Sequence, residues 1–216
     1  MRSRFLALAA SLALLALTQP LAAQQATPPG PAVPPPGQQI EPIQPPADVT
    51  RPHRADQVRG LDFLFGALKV APDAESAKQV ENRIWAMWLA SGSDTANLLM
   101  TRVKAAIDGK DLDLAIKLLD SIVEIRPDYI EAWNRRATIF YMKKDYVRSM
   151  QDIRQVLARE PRHFGALSGL GMILHEYGDE KRALDAFRKA LEIHPHLQKI
   201  PDMVKSLSEK VEGRDI

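Results

Sequence analysis

Apolar residues recur at helical spacing over most of residues 57–212, and the recurrence is itself periodic. Between residues 96 and 195 the same order of small, bulky and polar positions returns at a constant interval, punctuated by Pro127, Pro161 and Pro195. Apolar side chains at i, i+3, i+4 and i+7 predict amphipathic helices. A proline turns the residue before it away from helix and closes each run. Every period therefore reads as a helix, a short turn, a second helix and a proline stop. The turns are DGKD at 108–111, KKDY at 143–146 and YGDE at 177–180, each carrying Gly or Asp.

With the first position of each period set at Ala96, Ile130 and Phe164, the units are 96–129, 130–163 and 164–197. Small residues occupy the eighth position (Ala137, Gly171) and the twentieth (Ala115, Ser149, Ala183), where paired helices must approach closely. Bulky ones occupy the fourth (Trp133, Leu167) and the twenty-fourth (Leu119, Ile153, Phe187), where they fill space between layers. A single unit of this kind cannot bury its apolar face alone, so stacking and atypical ends are expected.

The unit FGALSGLGMILHEYGDEKRALDAFRKALEIHP resembles the tetratricopeptide repeat, through Leu167, Leu170, Gly171, Leu174, Ala183, Phe187, Ala190 and Pro195. The interval between the prolines matches that family's repeat length as well. The unit before it carries Trp133, Ala137, Phe140, Ile153, Val156 and Pro161, with Ser149 where alanine is usual. The first is the most diverged, with Leu99, Val103, Ala115, Leu119, Ile122 and Pro127. The resemblance implies an all-α solenoid with three repeats over 96–195. An atypical helix pair over 56–95 precedes them, predicted as Gln57–Val70 and Ala74–Ala90, with Asp73 as N-cap and Ser91-Gly92-Ser93 as the stop. Glu81 stands there at a place where a repeat wants a small residue, so the pair reads as a degenerate repeat or a cap. Residues 198–216 read as a capping helix and tail, with Met203, Val204, Leu207 and Val211 on one face and Gly213 as the stop.

The N-terminus changes the picture of charge and location. Arg2 and Arg4 precede an apolar run from Phe5 to Leu17, and Pro20 leads into Leu21-Ala22-Ala23. That is the pattern of a signal peptide over residues 1–23, with cleavage expected after Ala23 and an uncleaved anchor as the alternative. The run is short for a membrane span, and a chain without cysteine has no site for a lipid-modified N-terminal cysteine. The expected destination is the periplasm, with the membrane met only in transit. The chain has 29 Lys and Arg against 27 Asp and Glu. Loss of Arg2 and Arg4 leaves the two signs balanced, so no nucleic-acid partner is expected. Residues 24–55 form a proline-rich segment with ten prolines between Pro28 and Pro52, a composition that reads as an unfolded tether or a ligand for a proline-reading module.

Candidate chemistry is sparse. His194 and His196 flank Pro195 with no third metal ligand nearby, and HEYGD at 175–179 lacks the second histidine of a metalloprotease helix. Ser168 is misplaced for a nucleophile elbow, and no Gly-Lys-Ser/Thr follows the glycines of 165–171. Asp111/Asp113 and Asp179/Glu180 sit at turns and helix starts, where acids suit the helix dipole. No enzyme, cofactor, metal site or small-molecule substrate is predicted.

The resemblance further implies that the first helix of each pair lines a binding face through its positions 2, 5, 9, 12 and 13. Those are Asn97, Met100, Lys104, Ile107 and Asp108, then Glu131, Asn134, Thr138, Tyr141 and Met142, then Gly165, Ser168, Met172, His175 and Glu176. Related co-chaperones hold a terminal carboxylate with a basic clamp, but here the matching places carry Met100, Lys104, Arg135, Gly165 and Gly169, so that mode is not expected. The whole layout, down to the VEGRDI tail, resembles small periplasmic tetratricopeptide proteins of alphaproteobacteria. This implies an envelope adaptor that binds a peptide or protein on its inner face. The alternative expectation is a self-associating structural protein, a homodimer docking through Phe63, Phe65, Trp85 and Trp88.

Overall fold

The computed structural model describes residues 54–213, so the predicted leader, most of the proline-rich segment and the end of the VEGRDI tail lie outside the described residues. Within them the chain forms α1 (Arg54–Lys69), α2 (Ala74–Leu89), α3 (Asp94–Asp108), α4 (Leu112–Ile125), α5 (Ile130–Met142), α6 (Tyr146–Arg159), α7 (Phe164–Glu176), α8 (Glu180–Ile193) and α9 (Ile200–Val211). No strand is present among the described residues, and no helix there is long and apolar enough to cross a membrane.

Each repeat makes its internal turn the same way. The fifteenth position takes positive φ, at Lys110 (61°), Lys144 (60°) and Gly178 (75°). An aspartate follows directly in all three, and its side chain accepts from the backbone three residues on: Asp111 from Leu114 N, Asp145 from Arg148 N, Asp179 from Arg182 N. This satisfies one of the free N–H groups of the second helix. Only glycine adopts the left-handed turn without steric cost; the two lysines hold it because the helices on either side are packed.

The pairs α3/α4, α5/α6 and α7/α8 are antiparallel hairpins, stacked α4 on α5 and α6 on α7, with α9 closing the far end against α8. The small positions do what their size permits. A Cβ built on Gly171 would meet the Phe187 ring at 2.5 Å, so the ring fills the space that any other residue would take. Ser149 is fully buried and its Oγ donates to the Ala137 carbonyl at 2.8 Å, which makes the hydroxyl harmless where alanine is usual. Trp133 departs from expectation. Its ring is only half-buried, covered by the Arg136 and Arg159 guanidinium groups 4.8 and 5.7 Å from the ring centre, and its Nε1 donates to the Pro127 carbonyl at 3.0 Å.

The helix pair α1/α2 does not continue the stack as a degenerate repeat would. It packs against α8 and α5, along the row of turns that join one repeat to the next. Trp88 and Trp85 lie on His163 and Phe164, and Leu64, Phe65 and Leu68 complete that cluster. Arg162 Nη1 donates to Asp62 at 2.6 Å and its guanidinium lies 4.2 Å over Phe65. His196 Nε2 donates to the Ala71 carbonyl at 3.0 Å, and Tyr129 Oη to the Leu89 carbonyl at 3.0 Å. The reason is legible in register. One period before Ala115 the register falls on Glu81; Ala115 is fully buried against a neighbouring helix, and a carboxylate at such a place would be costly. In the docked position Glu81 accepts instead from Lys78, Trp85 Nε1 and His194 Nε2.

Candidate functional site

The first helices of the three repeats, α3, α5 and α7, carry the predicted face, and the docked hairpin divides it. At the N-terminal ends of α5 and α7 the face is covered. Glu131 is 1 % exposed and its Oε1 lies 2.9 Å from His163 Nε2. His163 Nδ1 accepts from Ala166 N at 3.0 Å, which leaves the proton on Nε2 and makes His163 the donor to Glu131. Glu131, expected to point into an open groove, is thus a structural acceptor beneath the hairpin. Gly165 is likewise covered: a Cβ there would meet the outer edge of the Trp85 indole at 3.1 Å. Ser168 Oγ is turned back to the Phe164 carbonyl at 2.8 Å.

At the C-terminal ends of the same helices the face is open. Tyr141 contacts Tyr146 with ring centres 5.6 Å apart, and Tyr146 meets the edge of Tyr177 at 5.6 Å. Met172 and Met142, on α7 and α5, are exposed, and His175 is half-buried with Nδ1 lacking any partner among the described residues. Burial, followed by the nearby Glu176 carboxylate, raises the Tyr141 phenol above its ordinary value, so Tyr141 stays a neutral donor and acceptor. Thr138 Oγ1 donates to the Asn134 carbonyl at 3.0 Å, and Asn134 Nδ2 reaches Glu131 at 3.4 Å.

On α3 the face is more polar. Lys104 pairs with Asp108 at 2.6 Å, and Asn97 Oδ1 accepts from Ser91 Oγ at 2.7 Å. Asn97, Met100, Lys104, Tyr129 and Arg135 line a cleft between α3 and α5, with Leu89 of α2 at its rim. Arg135 Nε is buried there without an acceptor among the described residues. Burial and then the Glu131 charge push the Tyr129 phenol up to about 12, against the partial offset of Arg135. Sequence register placed Asn97, Met100, Lys104, Thr138, Tyr141, Met172 and His175 on one surface. It gave no sign of Tyr146 and Tyr177, which come from second-helix and turn positions.

The aromatic edge expected to drive self-association is not free. Phe65 and Trp88 are buried within the chain and Trp85 is half-covered, because the hairpin folds onto its own repeats; Phe63 alone of the four stays exposed. Among the described residues no three His, Cys, Asp or Glu side chains gather as a metal site.

Stacked helix hairpins of one register, with small residues at the close approaches and an aspartate cap at every internal turn, define a tetratricopeptide array. The family model described as Tetratricopeptide repeat matches residues 151–197. A TPR repeat-containing protein of Rhizobium etli is 42 % identical over 153 residues, covering 71 % of this chain and 75 % of the relative. The chain belongs to the tetratricopeptide repeat proteins. Among solved structures, the first TPR of Spaghetti (RPAP3), bound to the HSP90 peptide SRMEEVD, aligns with TM-score 0.53 at 17 % identity, over 56 % of this chain and 95 % of that one. The crystal structure of MamA aligns with TM-score 0.52 at 17 % identity, over 75 % of this chain and 86 % of that one. At such identities the likeness is one of fold.

Proposed function

We propose that this chain is a non-enzymatic adaptor of the bacterial cell envelope, exported to the periplasm, that binds a peptide segment of a partner protein on the open part of the α3/α5/α7 face. The observation that carries this reading is the asymmetry of that face. Its N-terminal half is covered by the chain's own hairpin, while Tyr141, Tyr146, Tyr177 and Met172 stay accessible at the other half. Tyrosine and methionine contribute apolar contact area with adaptable geometry, which suits an extended or helical peptide. Peptide binding by a neighbour of the same fold, the SRMEEVD complex, supports the class of activity, and the cleft at Lys104 and Arg135 favours a peptide with acidic character. The export step rests on the residue pattern of 1–23 alone.

The test is paired affinity capture from an envelope extract with the mature chain, residues 24–216, and its Tyr141→Ala, Met172→Ala variant. Met172 is exposed and Tyr141 is half-buried against the cluster of Ile153 and Ile173, so a cooperative melting transition and unchanged helix content verify that the variant is folded. A protein recovered with the parent and lost with the variant supports the reading. Equal recovery with both baits removes the face as the binding site, and accumulation of the chain in the cytoplasm removes the envelope assignment.

A further inference from the structure

Equivalent positions in a repeat array do the same work, so the first repeat can be compared with the two after it. At the third position Ala132 and Ala166 are 0 % and 1 % exposed, whereas Leu98 is 57 % exposed. At the tenth, Ile139 and Ile173 are 1 % and 0 % exposed, whereas Ala105 is open to solvent. The buried ones pack into the repeat ahead of them: Ala132 and Ile139 join the cluster of Val103, Ala115 and Leu119, and Ala166 and Ile173 join that of Ile153 and Val156. Leu98 and Ala105 face the same way, but no helix among the described residues stacks there as α4 does on α5, since α1/α2 packs on α5 and α8. Leu114 (45 % exposed) and Leu118 on α4 flank the same hollow, which Arg102, Ala105 and Gly109 line from α3.

The charged position tells what fits. At the seventh place Arg136 is held by two hydrogen bonds of 2.8 Å to Asp152 of its own repeat, where the first repeat has Leu118, and it also donates across the repeat boundary to Asp120 of α4 at 2.7 Å. Its equivalent, Arg102, is exposed and has no ion-pair partner among the described residues. Next to Arg136, α4 offers Asp113, Ile116, Asp120 and Val123, acids and apolar residues at helical spacing on one side, with Asp113 held by Lys143 at 2.8 Å. One period back from Asp113 and Asp120 stand Gln79 and Ala86, so α2 lacks the acids that this boundary uses. The far end of the array is covered by α9, through Ile200 and Leu207.

We propose that the open end of the first repeat is a second docking site, for an amphipathic helix of a partner protein that seats a carboxylate on Arg102 and apolar side chains on Leu98, Ala105 and Leu114. It rests on the interaction-module reading but uses a surface separate from Tyr141 and Met172. Repeat arrays need their terminal faces covered, and a contact of this kind extends the stack by one helix.

The probe is a labelled, capped peptide of residues 111–126, which carries the α4 pattern, titrated by fluorescence anisotropy against the full-length protein. Saturable binding is expected, weakened about tenfold or more by Leu98→Asp or by Arg102→Asp. Binding to the Arg102→Asp protein recovers when the peptide carries Asp120→Arg. The Tyr141→Ala, Met172→Ala protein binds the peptide as the parent does, so failure here and failure of the inner face are separate results. Leu98 and Arg102 are exposed, and unchanged melting of both variants verifies their fold. Absence of binding, binding indifferent to Leu98 and Arg102, or loss of binding in the inner-face variant overturns the proposal. So does a dimer in sedimentation velocity that dissociates on Leu98→Asp, since a second copy then occupies the face.

Discussion

The indole of Trp88 lies flat on the imidazole of His163, ring centres 4.1 Å apart and planes 11° from parallel. The two residues are distant in sequence, and their stack joins the N-terminal hairpin to the turn between the second and third repeats. The His163 ring is held from both sides, by Ala166 N on Nδ1 and Glu131 on Nε2, so it offers Trp88 a fixed platform.

Trp88→Ala is expected to cost about 3–5 kcal/mol, the range for a buried large aromatic. Because the loss falls on the hairpin's docking surface, amide exchange should rise through α1 and α2 before it rises in α7. Uniform loss of protection along the chain would mean that hairpin and repeats unfold as one unit.

Glu131→Ala should destabilise by about 1–3 kcal/mol, since it leaves the His163 Nε2–H buried without an acceptor. Glu131→Gln, which keeps an acceptor of the same shape, should recover most of this. Chemical denaturation of the two variants separates the hydrogen bond from packing.

Gly171→Ala should cost about 1–3 kcal/mol, because the added methyl group enters the Phe187 ring and must push α7 and α8 apart. Trp133→Ala, at a consensus position that is only half-buried here, should cost less than Trp88→Ala, at about 1–3 kcal/mol. A Trp133 loss equal to that of Trp88 would contradict the exposure seen for its ring.

Docking of the hairpin should weaken in acid. Burial lowers the His194 pKa below that of a free histidine, against the opposing pull of Glu81. Burial raises Glu81, but hydrogen bonds from Lys78, Trp85 and His194 outweigh it and hold the carboxyl below its ordinary value of 4.5. A histidine with a depressed folded pKa contributes full stability above its unfolded value of 6.5 and loses it as pH falls through that value and below. The depressed Glu81 adds a second loss below 4.5 in the same direction. Tryptophan fluorescence followed from about pH 8 to about pH 4 should report hairpin release beginning near pH 6.5 in the parent. In His194→Gln the upper step should be absent; its persistence would assign the transition to another group.

The sequence by itself determined the repeat, because its causes are local. Helical spacing, the aspartate after each left-handed turn, and the prolines at 127, 161 and 195 act over a few residues and recur often enough to set a register. The small residue at Gly171 was readable for the same reason, while the structure supplied its partner, the Phe187 ring, which the register had assigned to the space between layers. The tertiary structure alone decided where the N-terminal hairpin goes, for that depends on partners several helices further along the chain: Trp88 with His163, Glu81 with His194, Ala71 with His196. The same contacts covered Glu131 and Gly165, moved the open part of the inner face to Tyr141 and Met172, and left Leu98 bare at the start of the array. Spacing along a chain specifies which face of a helix is apolar; only the packed structure specifies what that face meets.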